Sequence, residues 1–235
     1  MGHGFGREDM IVHPLNWREI GQPISVEKIE DTLLEIVADT HCRNIAFSGG
    51  IDSSLLVHFM LEVGIKPVLY TIGESVEHPD VIHSMIASKH FRKTEHHIYI
   101  PEPAKCLLGG SADGDTAVRL LYEYARSKGV VKMIAGDGID EFMCGYYAHQ
   151  NSPTPEVYYD FLGRLCSEHL EQLNINSGNV DVYLPYIDSR MVILLAQIPI
   201  ERKVDGDFRK KLMVEMAQRA GLPESVIYRR KYGFC

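Results

Sequence analysis

Between residues 44 and 135 short apolar runs alternate with helical stretches, and this alternation restricts the fold more than any other feature of the sequence. Residues 44–48, 66–72, 96–100 and 131–135 read as strands, the first as a buried apolar run. Residues 53–63, 80–91 and 116–128 read as the helices between them, the first and third closed by Gly64 and Gly129. Ahead of them, Ser25 reads as the cap of a helix over 26–40 whose Ile29, Leu33, Ile36 and Val37 share one face. Strands joined through helices of this length pair in parallel, with right-handed crossovers and helices covering both faces. The predicted fold class is therefore α/β, a parallel sheet of about five strands with helices on both faces.

After Gly145 the pattern changes. Residues 155–173, 188–197 and 208–220 read as helices, with no strand between the first two. The predicted organisation is an N-terminal arm (1–25), an α/β core (26–150) and a helical C-terminal part (151–235) of the same domain.

Composition narrows the function classes. Against 24 Lys and Arg stand 32 Asp and Glu, a net charge of −8. An acidic surface argues against nonspecific nucleic-acid binding, which needs basic contacts to phosphate. The five cysteines are odd in number and widely spaced, without a C-x-x-C pair, which argues against a zinc ribbon or a disulfide framework. No window approaches a membrane span, and the N-terminus lacks a hydrophobic signal region. The expectation is a cytoplasmic protein without membrane contact, with room left for a homo-oligomer.

Two motifs carry chemistry. Ser48-Gly49-Gly50-Ile51-Asp52-Ser53-Ser54 stands at the first strand-to-helix junction. Its glycines permit close backbone approach, the helix start offers unpaired N–H groups, and three hydroxyls add donors. Asp52 is repelled by phosphate unless a cation intervenes, so it points to Mg²⁺. The string is neither a Walker A loop nor G-x-G-x-x-G.

The second motif, Gly136-Asp137-Gly138-Ile139-Asp140-Glu141-Phe142-Met143-Cys144-Gly145-Tyr146, follows the fourth strand. Three carboxylates within five residues repel one another unless a cation is near. Strand C-terminal ends share one edge of a parallel sheet, so both motifs should face one crevice. Asp52 and Asp140 are then placed to share Mg²⁺. His96 and His97 read as a polar pair opening a strand rather than as metal ligands.

The first motif resembles the pyrophosphate loop of the N-type ATP pyrophosphatases, with their adenine nucleotide alpha hydrolase-like fold. The second is similar to the signature of the asparagine synthetase branch of that superfamily. Leu184-Pro185-Tyr186-Ile187-Asp188 and Tyr228-Arg229-Arg230-Lys231-Tyr232-Gly233-Phe234 extend the resemblance in matching order. It implies that Ser48, Gly49, Gly50, Asp52, Ser53 and Ser54 hold pyrophosphate, that Asp52 and Asp140 hold Mg²⁺, and that the backbone of Ile72 meets adenine. It further implies that Gly136 and Asp137 lie beside the α-phosphate and acyl acceptor, with Glu141 in the same catalytic group. Lys231 is the implied lysine that stabilises charge on phosphorus and on departing pyrophosphate, with Arg229 and Arg230 adding to the field.

The sequence departs from the family in three places. Only about 40 residues precede the phosphate loop, too few for a glutaminase domain. Ammonia or an amine is then expected as the nitrogen donor, free or from a separate glutaminase protein. Asp137 stands where the family often has glutamate, and Tyr183 where it tends to have arginine. A missing arginine removes a bidentate partner for a substrate carboxylate, which puts aspartate as substrate in doubt.

The expected activity is ATP- and Mg²⁺-dependent adenylation of a small-molecule carboxylate with release of pyrophosphate, followed by amide formation. Two rivals stand beside it: adenylation of a nucleobase carbonyl in RNA, and a non-catalytic ATP- or AMP-binding module.

Overall fold

The computed structural model describes residues 24–92, 94–102 and 114–229. Nearly all of the expected N-terminal arm, and both Arg230 and Lys231, lie outside these residues.

The chain opens with α1 (Val26–Thr40), where Ser25 Oγ accepts from the Lys28 N–H at 3.2 Å. It continues through β1 (Asn44–Ala46), α2 (Ile51–Glu62), β2 (Val68–Ile72), α3 (Pro79–His90) and β3 (Glu95–Tyr99). Then come α4 (Gly114–Ser127) and β4 (Lys132–Ile134). With a late strand β5 (Asp181–Tyr183), all strand pairs are parallel, in the order β3-β2-β1-β4-β5. The chain runs outward from β1 to β3 and then returns to place β4 on the other side of β1. At this reversal the C-terminal ends of β1 and β4 lie side by side, where open α/β sheets bind ligands.

The crossovers explain the layers. Right-handed connections put α2 and α3 on one face and α4 on the other. Helix α2 is apolar nearly all round, with Leu55, Leu56, Val57, Phe59 and Met60 buried. Such a helix must be covered on every side. It packs on the sheet, on α1, and on two late helices, α11 (Lys211–Arg219) and α12 (Glu224–Ile227). Each fully buried Leu or Ile contributes about 1.5–3 kcal/mol. The start of α2, which carries the phosphate-loop motif, is thereby held on a rigid body.

The second half corrects the sequence-based picture in three ways. A fifth strand, β5 (Asp181–Tyr183), lies between segments read as consecutive helices and pairs with β4. At three residues it is too short to show a period; pairing with β4 makes it a strand. The helix expected over 155–173 is α7 (Pro155–Arg164), a π-helical turn (Leu165–Leu170) and α8 (Glu171–Ser177). The helix expected from residue 208 begins only at Lys211, because Lys210 adopts a left-handed conformation (φ 53°). Short helices α5 (Ile139–Phe142), α6 (Tyr147–Asn151), α9 (Ser189–Ala196) and α10 (Ile200–Lys203) complete the described chain. Among the described residues no helix is long and apolar enough to cross a membrane.

Candidate active site

The phosphate-loop motif forms a tight cradle between β1 and α2. Gly49 has φ +71°, and a Cβ there would come within 2.6 Å of the Ser84 backbone on α3. Glycine is therefore required both for the turn and for the close approach. Gly50, in an extended conformation, caps α2. The Gly50 N–H donates to Ser48 Oγ at 3.3 Å, and Ser53 Oγ donates to the Gly50 carbonyl at 3.3 Å. The start of α2 presents N–H groups and the positive end of its dipole, which suits an anion. Ser54, expected among the donors, has no exposed surface, and its hydroxyl is buried without a hydrogen-bond partner among the described residues. One residue past Ser53 the helix has turned by about 100°, away from the crevice.

The acidic motif lies directly against this loop. A Cβ on Gly136 would sit 3.5 Å from Asp52 Cβ. Gly138, at φ +85°, caps α5 and so sets the direction of Asp140 and Glu141. Asp52 and Asp140 converge, as expected, but on a cation the sequence reading missed. Lys210 Nζ lies 2.6 Å from Asp52 Oδ2 and 2.7 Å from Asp140 Oδ1. Burial opposes its charge, but Asp140 and Asp52 outweigh that and hold the ammonium above lysine's ordinary range. Gly145 makes room for this group: a Cβ there would fall 1.8 Å from Asp140 Oδ1 and 2.4 Å from Lys210 Cε.

Neighbouring contacts fix the frame. Tyr186, fully buried in the Leu184–Asp188 motif, donates from its hydroxyl to the Asp52 carbonyl at 2.8 Å. Arg229 donates to the Ser48 carbonyl at 2.5 Å and pairs with Asp80, so the described chain ends on the phosphate loop. Buried Glu141 accepts from Tyr146 Oη at 2.7 Å. Burial, then Glu141, pushes the Tyr146 phenol up, so it stays a neutral donor. Asp137 Oδ1 lies 2.8 Å from His169 Nε2, on the π-helical turn. Ile72 ends β2 on the same edge of the sheet, and its neighbour Gly73 donates its N–H to the Tyr99 carbonyl.

The donor set suits a hard divalent ion. Asp52 and Asp140 already share one cation, so their oxygens reach a common point. Among the described residues no group of three or more His, Cys, Asp or Glu forms a closed metal cage. Two carboxylates completed by phosphate oxygens and water is the usual pattern for Mg²⁺.

Lys210 was hidden in Arg209-Lys210-Lys211, which reads as the solvated start of a helix. Charge balance alone pointed to it, since four crowded carboxylates need a cation. His169 lay inside a stretch read as continuous helix, where nothing marks a pairing with a residue 32 positions away.

The asparagine synthase family model matches residues 43–179 and 176–235. No curated protein sequence matches the chain. Among solved structures, NMN synthetase from Francisella tularensis matches with a TM-score of 0.51 at 14% identity. The match covers 89% of this chain and 76% of that one, and it is a likeness of fold.

Proposed function

The chain belongs to the asparagine synthase family of ATP-dependent adenylating synthetases, and on that premise we propose that it adenylates a carboxylate and then forms an amide. In the proposed reaction a carboxylate oxygen attacks the α-phosphorus of ATP, the bond to the β-phosphate breaks, and pyrophosphate leaves. A nitrogen nucleophile then attacks the acyl carbon and AMP departs.

The observation that carries this reading is the convergence of Asp52, Asp140 and Lys210 beside the phosphate loop. The two carboxylates and the ammonium together sum to one negative charge, unsuited by itself to a polyphosphate. Mg²⁺ held by Asp52 and Asp140 supplies charge neutralisation for the phosphates when bound. Lys210 adds a second fixed positive charge where negative charge develops. The loop N–H groups and the Ser48 and Ser53 hydroxyls orient the β- and γ-phosphates. Asp137 and Glu141 face the acyl side. Lys231 takes the role that the resemblance gives it, on the departing pyrophosphate. Most of the catalysis is then positioning and electrostatics.

Tyr183 supports a substrate other than aspartate. It stands where the resemblance puts an arginine that would bind a second carboxylate, and its ring lies under Lys132 Nζ, 5.6 Å from the ring centre. ATP–pyrophosphate exchange, screened against amino acids, dicarboxylic acids and aromatic acids, tests the proposal. Exchange dependent on one acid class supports it. ATP binding without exchange for any acid would favour a binding module, and exchange only with added RNA would favour the nucleobase reading.

A further inference from the structure

Lys210 holds the point that a metal ion would need. Its Nζ lies 2.6 Å from Asp52 Oδ2 and 2.7 Å from Asp140 Oδ1, and its side chain is only 11% exposed. A Mg²⁺ bonded to those same two oxygens, at about 2.1 Å from each, would come within about 5 Å of the ammonium. Two cations that close, with little water between them, repel one another strongly. The ammonium and a divalent ion therefore compete for the pair.

The surrounding contacts pin the backbone here and leave the lysine stem to move. Lys210 is left-handed (φ 53°), an uncommon conformation for a residue with a Cβ, at the point where α11 begins. Beside it, Arg209 donates to the Gly145 carbonyl at 2.7 Å and places its guanidinium 3.8 Å from the centre of the Tyr147 ring. Asp205 Oδ1 accepts from the N–H groups of Asp207 and Phe208, which fixes the approach to this turn. A lysine is a compact charge on a flexible stem, suited to exchanging one set of oxygens for another. Asp52 belongs to the first turn of α2, so a phosphate seated at that helix start brings acceptor oxygens close to the ammonium.

We propose that Lys210 is an internal counter-ion that keeps Asp52 and Asp140 from holding a divalent ion until a nucleotide arrives, and that the phosphates then take the ammonium over. The proposal rests on the adenylation reading above. Without nucleotide, a divalent ion added to the two carboxylates and the ammonium leaves one net positive charge in a part-buried site. Phosphate oxygens supply the missing negative charge and a second place for the ammonium. Metal and nucleotide then each raise the affinity for the other by the same factor. The metal enters with the nucleotide, and the nucleotide-free protein discriminates against free divalent ions.

The test measures binding in the full chain, without turnover. Free Mn²⁺ is titrated into the unmodified protein and into Lys210→Met, followed by its electron paramagnetic resonance signal. An ATP analogue with a methylene bridge between the α- and β-phosphorus is titrated calorimetrically, once with EDTA and once with excess Mn²⁺. Lys210→Met should bind free Mn²⁺ about ten-fold tighter than the unmodified protein, within the usual range of coupling between two ligands. The gain in analogue affinity on adding Mn²⁺ should shrink in the variant by about the same factor. Adding Asp140→Asn to the variant should remove the tighter Mn²⁺ binding. Lys210→Gln, which keeps a polar end, gives the same comparison if the methionine variant does not fold. Equal free-Mn²⁺ affinities in the unmodified protein and the variants would overturn the proposal, and so would an unchanged gain from Mn²⁺. Tight binding of free Mn²⁺ by the unmodified protein, with no tightening of the analogue, would overturn it without any variant. Failure of the unmodified protein to bind the analogue at all would instead overturn the adenylation reading, and this one with it.

Discussion

Lys210 places its ammonium 2.6 Å from Asp52 Oδ2, joining residues 158 positions apart in the chain. The same nitrogen reaches Asp140, so one buried cation ties the phosphate loop after β1 to the acidic turn after β4. Removing it leaves two carboxylates facing each other with little access to water. Breaking such a buried arrangement from one side costs about 3–5 kcal/mol, and the residual exposure of Asp52 favours the low end. We expect Lys210→Met to melt roughly 6–12 °C below the unmodified protein, at about 2–4 °C per kcal/mol for a chain of this size. Millimolar MgCl₂ should return part of that loss in the variant and shift the unmodified protein less. Thermal melts with and without Mg²⁺ check this, and equal shifts in both proteins would remove the shared cation site.

Gly145 is the steric counterpart of that lysine. A methyl group there would overlap Asp140 Oδ1 and Lys210 Cε. Its backbone is not left-handed, so alanine strains packing and not φ. Gly145→Ala should cost about 1–3 kcal/mol and weaken ATP binding, because the Asp140 carboxylate must move. Calorimetric titration with ATP and Mg²⁺ checks the second effect.

Tyr186 offers a milder perturbation. Its hydroxyl gives one hydrogen bond to the Asp52 carbonyl inside a closed core. Tyr186→Phe keeps the ring and should cost about 0.5–1.5 kcal/mol. Urea unfolding should therefore show a small loss of stability with an unchanged slope.

Lys203 gives a pH signature away from the nucleotide site. It is fully buried, with Nζ 2.6 Å from Tyr158 Oη and over its ring. Burial pulls its ammonium down to about 7, only partly opposed by Cys144. Between about pH 7 and lysine's usual 10.5 the unfolded chain keeps a proton that the folded chain releases. Stability from this group therefore rises with pH across that window, by at most about 1.4 kcal/mol per unit, and levels off below it. Lys203→Met should flatten the rise between pH 7 and 9. Urea unfolding at three pH values in both proteins decides, and parallel slopes would exclude the effect.

The sequence displayed the frame of the fold because that frame is made by periodic burial. The strand at 44–48 and the helices at 53–63 and 116–128 show their apolar residues directly, and the structure shifts their ends by only a few residues. β5 escaped because three residues carry no period, and its pairing with β4 is a long-range fact. The two acidic and glycine-rich motifs were legible because crowded carboxylates beside glycines have few structural explanations. Lys210 and His169 were not, since a lysine in a basic run and a histidine in a helix are locally ordinary. Their partners are chosen by the reversal of strand order at β1 and β4 and by the π-helical turn, neither of which has a local signature.

The attack of a carboxylate oxygen on the α-phosphorus leaves an isotopic record. With the acid that supports pyrophosphate exchange labelled by ¹⁸O in its carboxylate, complete turnover in the presence of ammonium should yield AMP carrying one ¹⁸O, visible in the ³¹P spectrum. AMP without label, or ¹⁸O found in inorganic phosphate beside ADP, would contradict adenylation as the chemistry of this site.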